Sequence, residues 1–143
     1  GRSSGRDFLV LSNGAWACQR SVRWDRWLLA RTYHSGFKNY PELMLFDLQN
    51  DPHEQENLAE QMPDVVGQGL VLLDRWHSEA MARSPRSVDP LEVVLREGGP
   101  HHARYGTKEF AGYVRRLRET GRAHFAEELL ARARSAGFPN EVP

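Results

Sequence analysis

Cysteine occurs once in the 143 residues, at Cys18, and lysine only twice, at Lys38 and Lys108. A lone cysteine excludes a disulfide framework and a thiolate zinc site, so Cys18, set in an apolar stretch, reads as a small core residue. The shortage of lysine leaves arginine as nearly all of the 19 basic side chains, and 19 acidic ones cancel them. With no net charge there is no global field to draw the chain onto nucleic acid or anionic lipid. The arginine bias itself fits a GC-rich genome. No run approaches the roughly 20 apolar residues that span a bilayer, and no charged-then-apolar leader opens the chain. Neither a membrane nor nucleic acid is therefore expected as a partner, and a cytoplasmic location is. The chain begins at Gly1 in the polar stretch GRSSGRD and reads as a piece of something longer.

What is present is patterned. After a polar lead-in over residues 1–6, Asp7–Ser12 is a short apolar run of strand type, and Asn13-Gly14 behind it is a two-residue hairpin signal. Ala15–Arg23 alternates, with Trp16, Cys18, Arg20 and Val22 on one face and Arg20 the odd polar member. Trp24-Asp25-Arg26 marks a second turn, and Trp27–His34 resumes a strand rich in aromatic and β-branched residues. Ser35–Pro41 is a loop and Glu42–Leu48 a fourth strand. Four strands joined by short turns predict an antiparallel meander with one face buried. Pro63–Arg83 supplies the cover: Val66, Leu70, Leu73, Trp76 or His77, and Ala80 or Met81 follow amphipathic helical spacing between Pro63 and Ser84-Pro85. Between sheet and helix, Asp51-Pro52-His53-Glu54 has the spacing of a capping box, with Asp51 as N-cap, Pro52 at the first helical position and Glu54 three residues on. That spacing predicts a short capped helix.

Beyond Ser87 the pattern is helical: Asp89–Glu97 begun by Asp89-Pro90, then Thr107–Thr120 and Arg122–Ala136 divided by Gly121. Phe110, Val114 and Leu117 form one apolar stripe and Phe125, Leu129, Leu130 and Ala133 another. Such stripes dock on the chain's own sheet, on a parent catalytic domain, or on a second copy as a homo-oligomer, and sequence leaves the three open. The fold class is thus α+β: a four-stranded antiparallel meander covered by an amphipathic helix over residues 7–86, with a helical extension over 87–143.

Complete catalytic sets are missing. His53 and His77 have no ligand-type residue four positions on, and adjacent His101-His102 diverge on any regular element, so no metal site, which needs three or four convergent ligands, is expected. Ser12, Ser21 and Ser35 lack a nucleophile motif, and no phosphate-binding glycine loop is present. Arg115, Arg116, Arg118 and Arg122 alternate with glutamates, the pattern of a solvated helix face. The one binding rim suggested by composition is the stretch RTYHSGFKNY, with Arg31, His34 and Lys38 as candidates; Arg31 and His34 point to opposite faces of a regular strand.

Leu45-Phe46-Asp47-Leu48, then Asp51-Pro52-His53-Glu54, then Asn57-Leu58-Ala59 stand in the order and spacing of a family signature. Upstream, Ser21-Val22-Arg23, a turn and Trp27–His34 match the hairpin that precedes it. Over roughly residues 7–81 the chain resembles the C-terminal region of the sulfatases, enzymes built on the alkaline-phosphatase-like fold. The resemblance implies a small α+β subdomain, with Phe46, Asp47, Asp51, Pro52, Glu54, Asn57 and Leu58 as structural rather than catalytic residues. It also implies that the parent enzyme's formylglycine and divalent metal sit in a separate catalytic domain, which would be this chain's main partner. The C-x-P-x-R motif that makes formylglycine fails here, because Cys18 is followed by Gln19-Arg20-Ser21. Related phosphodiesterases and phosphonate hydrolases share this region, and an independent assembly module is the alternative from another class.

Overall fold

The computed structural model describes residues 5–138; the first four residues of the polar lead-in lie outside them. The order of elements is β1 (Phe8–Asn13), β2 (Cys18–Trp24), β3 (Trp27–His34), β4 (Leu43–Asp47), α1 (Pro63–Arg83), α2 (Pro90–Arg96), α3 (Lys108–Glu119) and α4 (Ala123–Ser135). This is the expected α+β class, and the strands form one antiparallel sheet in the meander order β1-β2-β3-β4. The chain divides into two compact units. One comprises the chain to Asn13, Gln19–Tyr33 and Tyr40–Asp89; the other comprises Gly14–Cys18, His34–Asn39 and the chain from Pro90 on.

In the sheet unit, the register sets which side chains share a face. Phe8 lies opposite Trp24 and Val10 opposite Val22, while Leu29 lies opposite Leu45 and Trp27 opposite Asp47. The apolar members of these pairs meet α1, where Val22, Leu29 and Leu45 are completely buried with Val66 and Leu73. Each such aliphatic side chain contributes about 1.5–3 kcal/mol through burial. Helix α1 comes very close at Gly69: a Cβ there would lie 2.6 Å from Leu29 Cδ2 and 2.8 Å from the Trp24 ring. Only glycine permits that approach.

Two local expectations fail. The Asn13-Gly14 hairpin does not form. Asn13 pairs with Gln19, leaving a longer connection, and Gly14 and Ala15 instead accept hydrogen bonds at their carbonyls from the His101 and His102 N–H groups (3.1 and 2.9 Å). Nor is there a helix at Asp51–Asn57. Glu54 has φ of 54°, the left-handed region, which no residue in a right-handed helix adopts. The Asp51 carboxylate accepts from the Gln55 and Glu56 N–H groups at 2.6 and 2.8 Å. Asp51 thus closes a turn, four and five residues ahead, rather than capping a helix. The first helix begins at Pro63 and ends at Arg83, as the periodicity predicts.

In the helical unit, α3 is capped by Thr107, whose hydroxyl accepts from the Phe110 N–H at 3.2 Å. The two apolar stripes bury one another. Phe110, Val114 and Leu117 join Ala126, Leu129, Leu130, Ala133 and Tyr105 in one core. Phe125 is the exception, at 44% exposure.

Candidate functional site

The residues that carried the family resemblance prove to be occupied in building the sheet unit. Asp47, buried at the end of β4, receives a two-pronged hydrogen bond from the Arg26 guanidinium, with Nε at 2.8 Å from Oδ1. It also accepts from the Gln49 and Asn50 N–H groups. The Arg26 bond, helped by those N–H groups and opposed by burial, holds the Asp47 carboxyl below its ordinary value. The Asn57 side chain bonds both ways along β4: Oδ1 accepts from Leu45 N at 2.9 Å, and Nδ2 donates to Leu43 O at 3.1 Å. Leu58 N donates to Leu45 O at 2.8 Å, and Leu58 packs on the sheet core.

Arg20, the polar residue that interrupts the inner face of β2, is buried and paired. Its Nη2 lies 2.6 Å from Asp89, which also meets His77 Nε2 at 3.0 Å. Its guanidinium stands 5.0 Å over the Trp76 ring. Ser12 Oγ, at 3.4 Å from Arg20 Nε, completes the surroundings of the guanidinium. The cluster fastens β2, α1 and the chain ahead of α2, and it presents no activated nucleophile.

The three candidate rim residues have different fates. Arg31 belongs to the sheet unit, where it is 3.8 Å from Glu42 and stands over the Tyr33 ring. His34 belongs to the helical unit and is turned inward. Its Nδ1 accepts from the Gly36 N–H at 2.9 Å, and its ring tilts against Tyr105 at 4.5 Å. Its Nε2 is enclosed with no hydrogen-bond partner among the described residues. Gly99, at φ 113°, makes the room: a Cβ there would strike His34 Nε2 at 2.6 Å. Burial, with the Arg132 charge adding to it, lowers the His34 pKa from 6.5 to about 4, so the imidazole is neutral near pH 7. Lys38 is exposed, and its ammonium has no partner among the described residues.

Sequence reading did not find the residue that organises this loop. Arg132 of α4 donates from Nη1 to Ser35 Oγ (2.5 Å) and to Lys38 O (3.1 Å). Beside it lies an open groove of about 230 Å3, with Phe37, Tyr113 and Phe125 as its aromatic walls and Lys38, Arg122 and Arg132 as its cations. Elsewhere in the unit, Trp16, 60% exposed, stacks on His102 at 4.6 Å, and His101 meets His102 edge-on. Both features come from long-range pairing, which leaves no local signal in the sequence.

Cys18 is fully buried, and burial raises its thiol pKa to about 11. A formylglycine-forming enzyme needs an accessible cysteine in the right motif, and Cys18 fits on neither count. Among the described residues no three His, Cys, Asp or Glu side chains converge as a metal would require. No helix among them is long and apolar enough to cross a membrane.

No family model matches the sequence, and no curated protein does. Among solved structures, the chain is similar to a sulfatase from a core glycosaminoglycan-metabolism locus of Bacteroides thetaiotaomicron, at 22% identity and TM-score 0.43 over 52% of this chain and 17% of that one. It is similar as well to the candidate sulfatase YidJ of Bacteroides fragilis, at 22% identity and TM-score 0.44 over 63% of this chain and 19% of that one. The chain therefore spans less than a fifth of either structure.

Proposed function

We propose that this chain is the C-terminal, non-catalytic subdomain of a sulfatase-type hydrolase, and that it works by packing on a catalytic domain. The observation that carries the reading is the stretch Leu45–Ala59. It keeps the order of the sulfatase signature, and Asp47, Asp51 and Asn57 are each committed to hydrogen bonds that shape β4 and the turn after it. None is left for acid–base work. The chemistry then falls to the catalytic domain, where formylglycine and a divalent metal supply the nucleophile and the charge, and where the ester type is decided.

The outer face of the sheet supports a packing role. Opposite partners share a face, so Leu9 and Leu11 of β1 lie on the side away from α1; Ala30 and Phe46 on the same side of β3 and β4 are themselves buried. An outer face in water is ordinarily polar. Here Leu9 and Leu11 are 44% and 52% exposed. Apolar surface of this kind marks a contact site. Of the three rim candidates, Lys38 is the residue free to reach a pocket on the partner domain; His34 is turned inward, and Arg31 lies over the Tyr33 ring in the sheet unit.

The 143-residue chain, assayed with an aryl sulfate and added divalent metal, is expected to give no turnover above buffer. Metal-dependent hydrolysis by this chain would contradict the proposal. Leu11→Lys is expected to lower binding of a hydrophobic dye without lowering thermal stability; unchanged dye binding would show that the outer face is not the exposed contact surface.

A further inference from the structure

Apart from Lys38, the groove in the helical unit has no part in the packing role above. Arg96 pairs with Glu92, Arg104 with Glu97, Arg115 with Glu119 and Arg118 with Glu127. Among the described residues the groove's cations make no such ion pair, although Glu128 shares their lining. Among the described residues the Lys38 ammonium has no partner, the Arg122 guanidinium bonds to the Thr120 hydroxyl, and the Arg132 guanidinium donates to Ser35 and the Lys38 carbonyl with its Nε enclosed without a partner. Three cations in a concave, partly apolar setting attract an anion more strongly than they would on a flat surface, because the local dielectric is lower and field lines focus there.

The walls give the second requirement. Phe37 and Tyr113 stack 4.8 Å apart with planes inclined by 10°, and Phe37 is braced from behind by Phe110 at 5.8 Å. Exposed Phe125 lies on the same lining. Rigid aromatic walls favour a flat or ring-shaped body. The volume is below the roughly 300–1,000 Å3 of drug-sized sites, so it suits one ring and one charged group. Glu128, on the same lining, disfavours a polyanion.

The geometry points to a binding site for a single-ring organic anion, its ring against Phe37, Tyr113 and Phe125 and its charge toward Lys38, Arg122 and Arg132. Every lining residue belongs to the helical unit, so binding is a property of this chain and does not depend on the sulfatase reading.

Titration of the 15N-labelled chain with benzoate, phenyl phosphate, inorganic phosphate and benzyl alcohol tests it. Benzoate and phenyl phosphate are expected to shift the backbone signals of Lys38, Tyr113 and Phe125, and their relative affinities separate carboxylate from phosphate ligands. Inorganic phosphate and benzyl alcohol should each bind about tenfold more weakly, having lost one of the two contacts. Lys38→Met and Phe125→Ala, both at exposed positions, should each weaken binding about fivefold at unchanged melting temperature. Glu128→Gln should strengthen it. The inference is overturned if the ring anions shift no signal at the groove, if inorganic phosphate binds as well as phenyl phosphate, or if both weakening variants bind like the parent chain.

Discussion

Asn57 completes the edge of the sheet at Leu45. The sheet ends at β4, and the Asn57 amide meets the Leu45 N–H with its oxygen and the Leu43 carbonyl with its nitrogen, as a neighbouring strand would. An open edge is a template for unwanted pairing, and the Asn57 amide together with the Leu58 N–H, which donates to the Leu45 carbonyl, closes it here. The same oxygen accepts from Ala59 N at 3.0 Å, which ties the following turn to the strand.

Asn57→Ala removes all three bonds and leaves partly buried backbone groups unpaired. It is expected to destabilise the chain by about 2 kcal/mol, since each buried group left without a partner costs about 1–3 kcal/mol. Chemical denaturation measures this. A loss under half that size would show that β4 does not depend on Asn57.

Glu54→Gly separates the turn from the helix that the sequence pattern predicts. In the turn, glycine relieves a left-handed backbone, and stability should rise by up to about 1 kcal/mol. In a helix the same change would cost about 1 kcal/mol. A lower denaturation midpoint would restore the capped helix.

Arg20→Met removes the guanidinium that pairs with the buried carboxylate of Asp89. The cost should be about 3 kcal/mol, as for other buried pairs broken on one side. The double change Arg20→Met with Asp89→Leu should recover part of it. A loss in the double variant equal to the sum of the Arg20→Met and Asp89→Leu losses would mean that the two residues act independently.

The meander and α1 were legible in sequence because each rests on a period that survives tertiary context: alternation in β2 and β3, and the Val66–Leu70–Leu73 spacing in α1. Asp51-Pro52-His53-Glu54 misled because an aspartate acceptor followed by proline serves a turn as well as a helix start. The choice is made by Asn57 and Leu58 reaching back to β4, twelve or more residues away. Arg20 read as a defect on an apolar face because its partner is 69 residues distant. His34 and Lys38 were visible as loop residues, but their opposite roles depend on Arg132 and Gly99.

Acid should expose the His34 environment. Its folded pKa of about 4 is below the unfolded 6.5, so between these values the unfolded chain binds the extra proton and stability falls as pH drops from 6.5 toward 4. His34→Gln should flatten that slope. Below about pH 4 a second loss follows as Asp47 protonates, because its depressed pKa adds stability only above the unfolded carboxylate range. A variant as pH-sensitive as the parent between 6.5 and 4 would remove His34 from the account.

Cys18 should resist alkylation. The thiol is buried and its pKa is raised to about 11, so the native chain should react with iodoacetamide at pH 8 far more slowly than the unfolded chain. Equal rates would place Cys18 at the surface.

On the function proposed above, this chain is the C-terminal subdomain of a sulfatase-type hydrolase whose chemistry lies elsewhere in the same polypeptide. Sequencing the reading frame upstream of the codon for Gly1 tests it most directly. The account predicts an in-frame catalytic domain carrying C-x-P-x-R or its serine variant. An upstream stop codon, or a long upstream frame with no such motif, would contradict it.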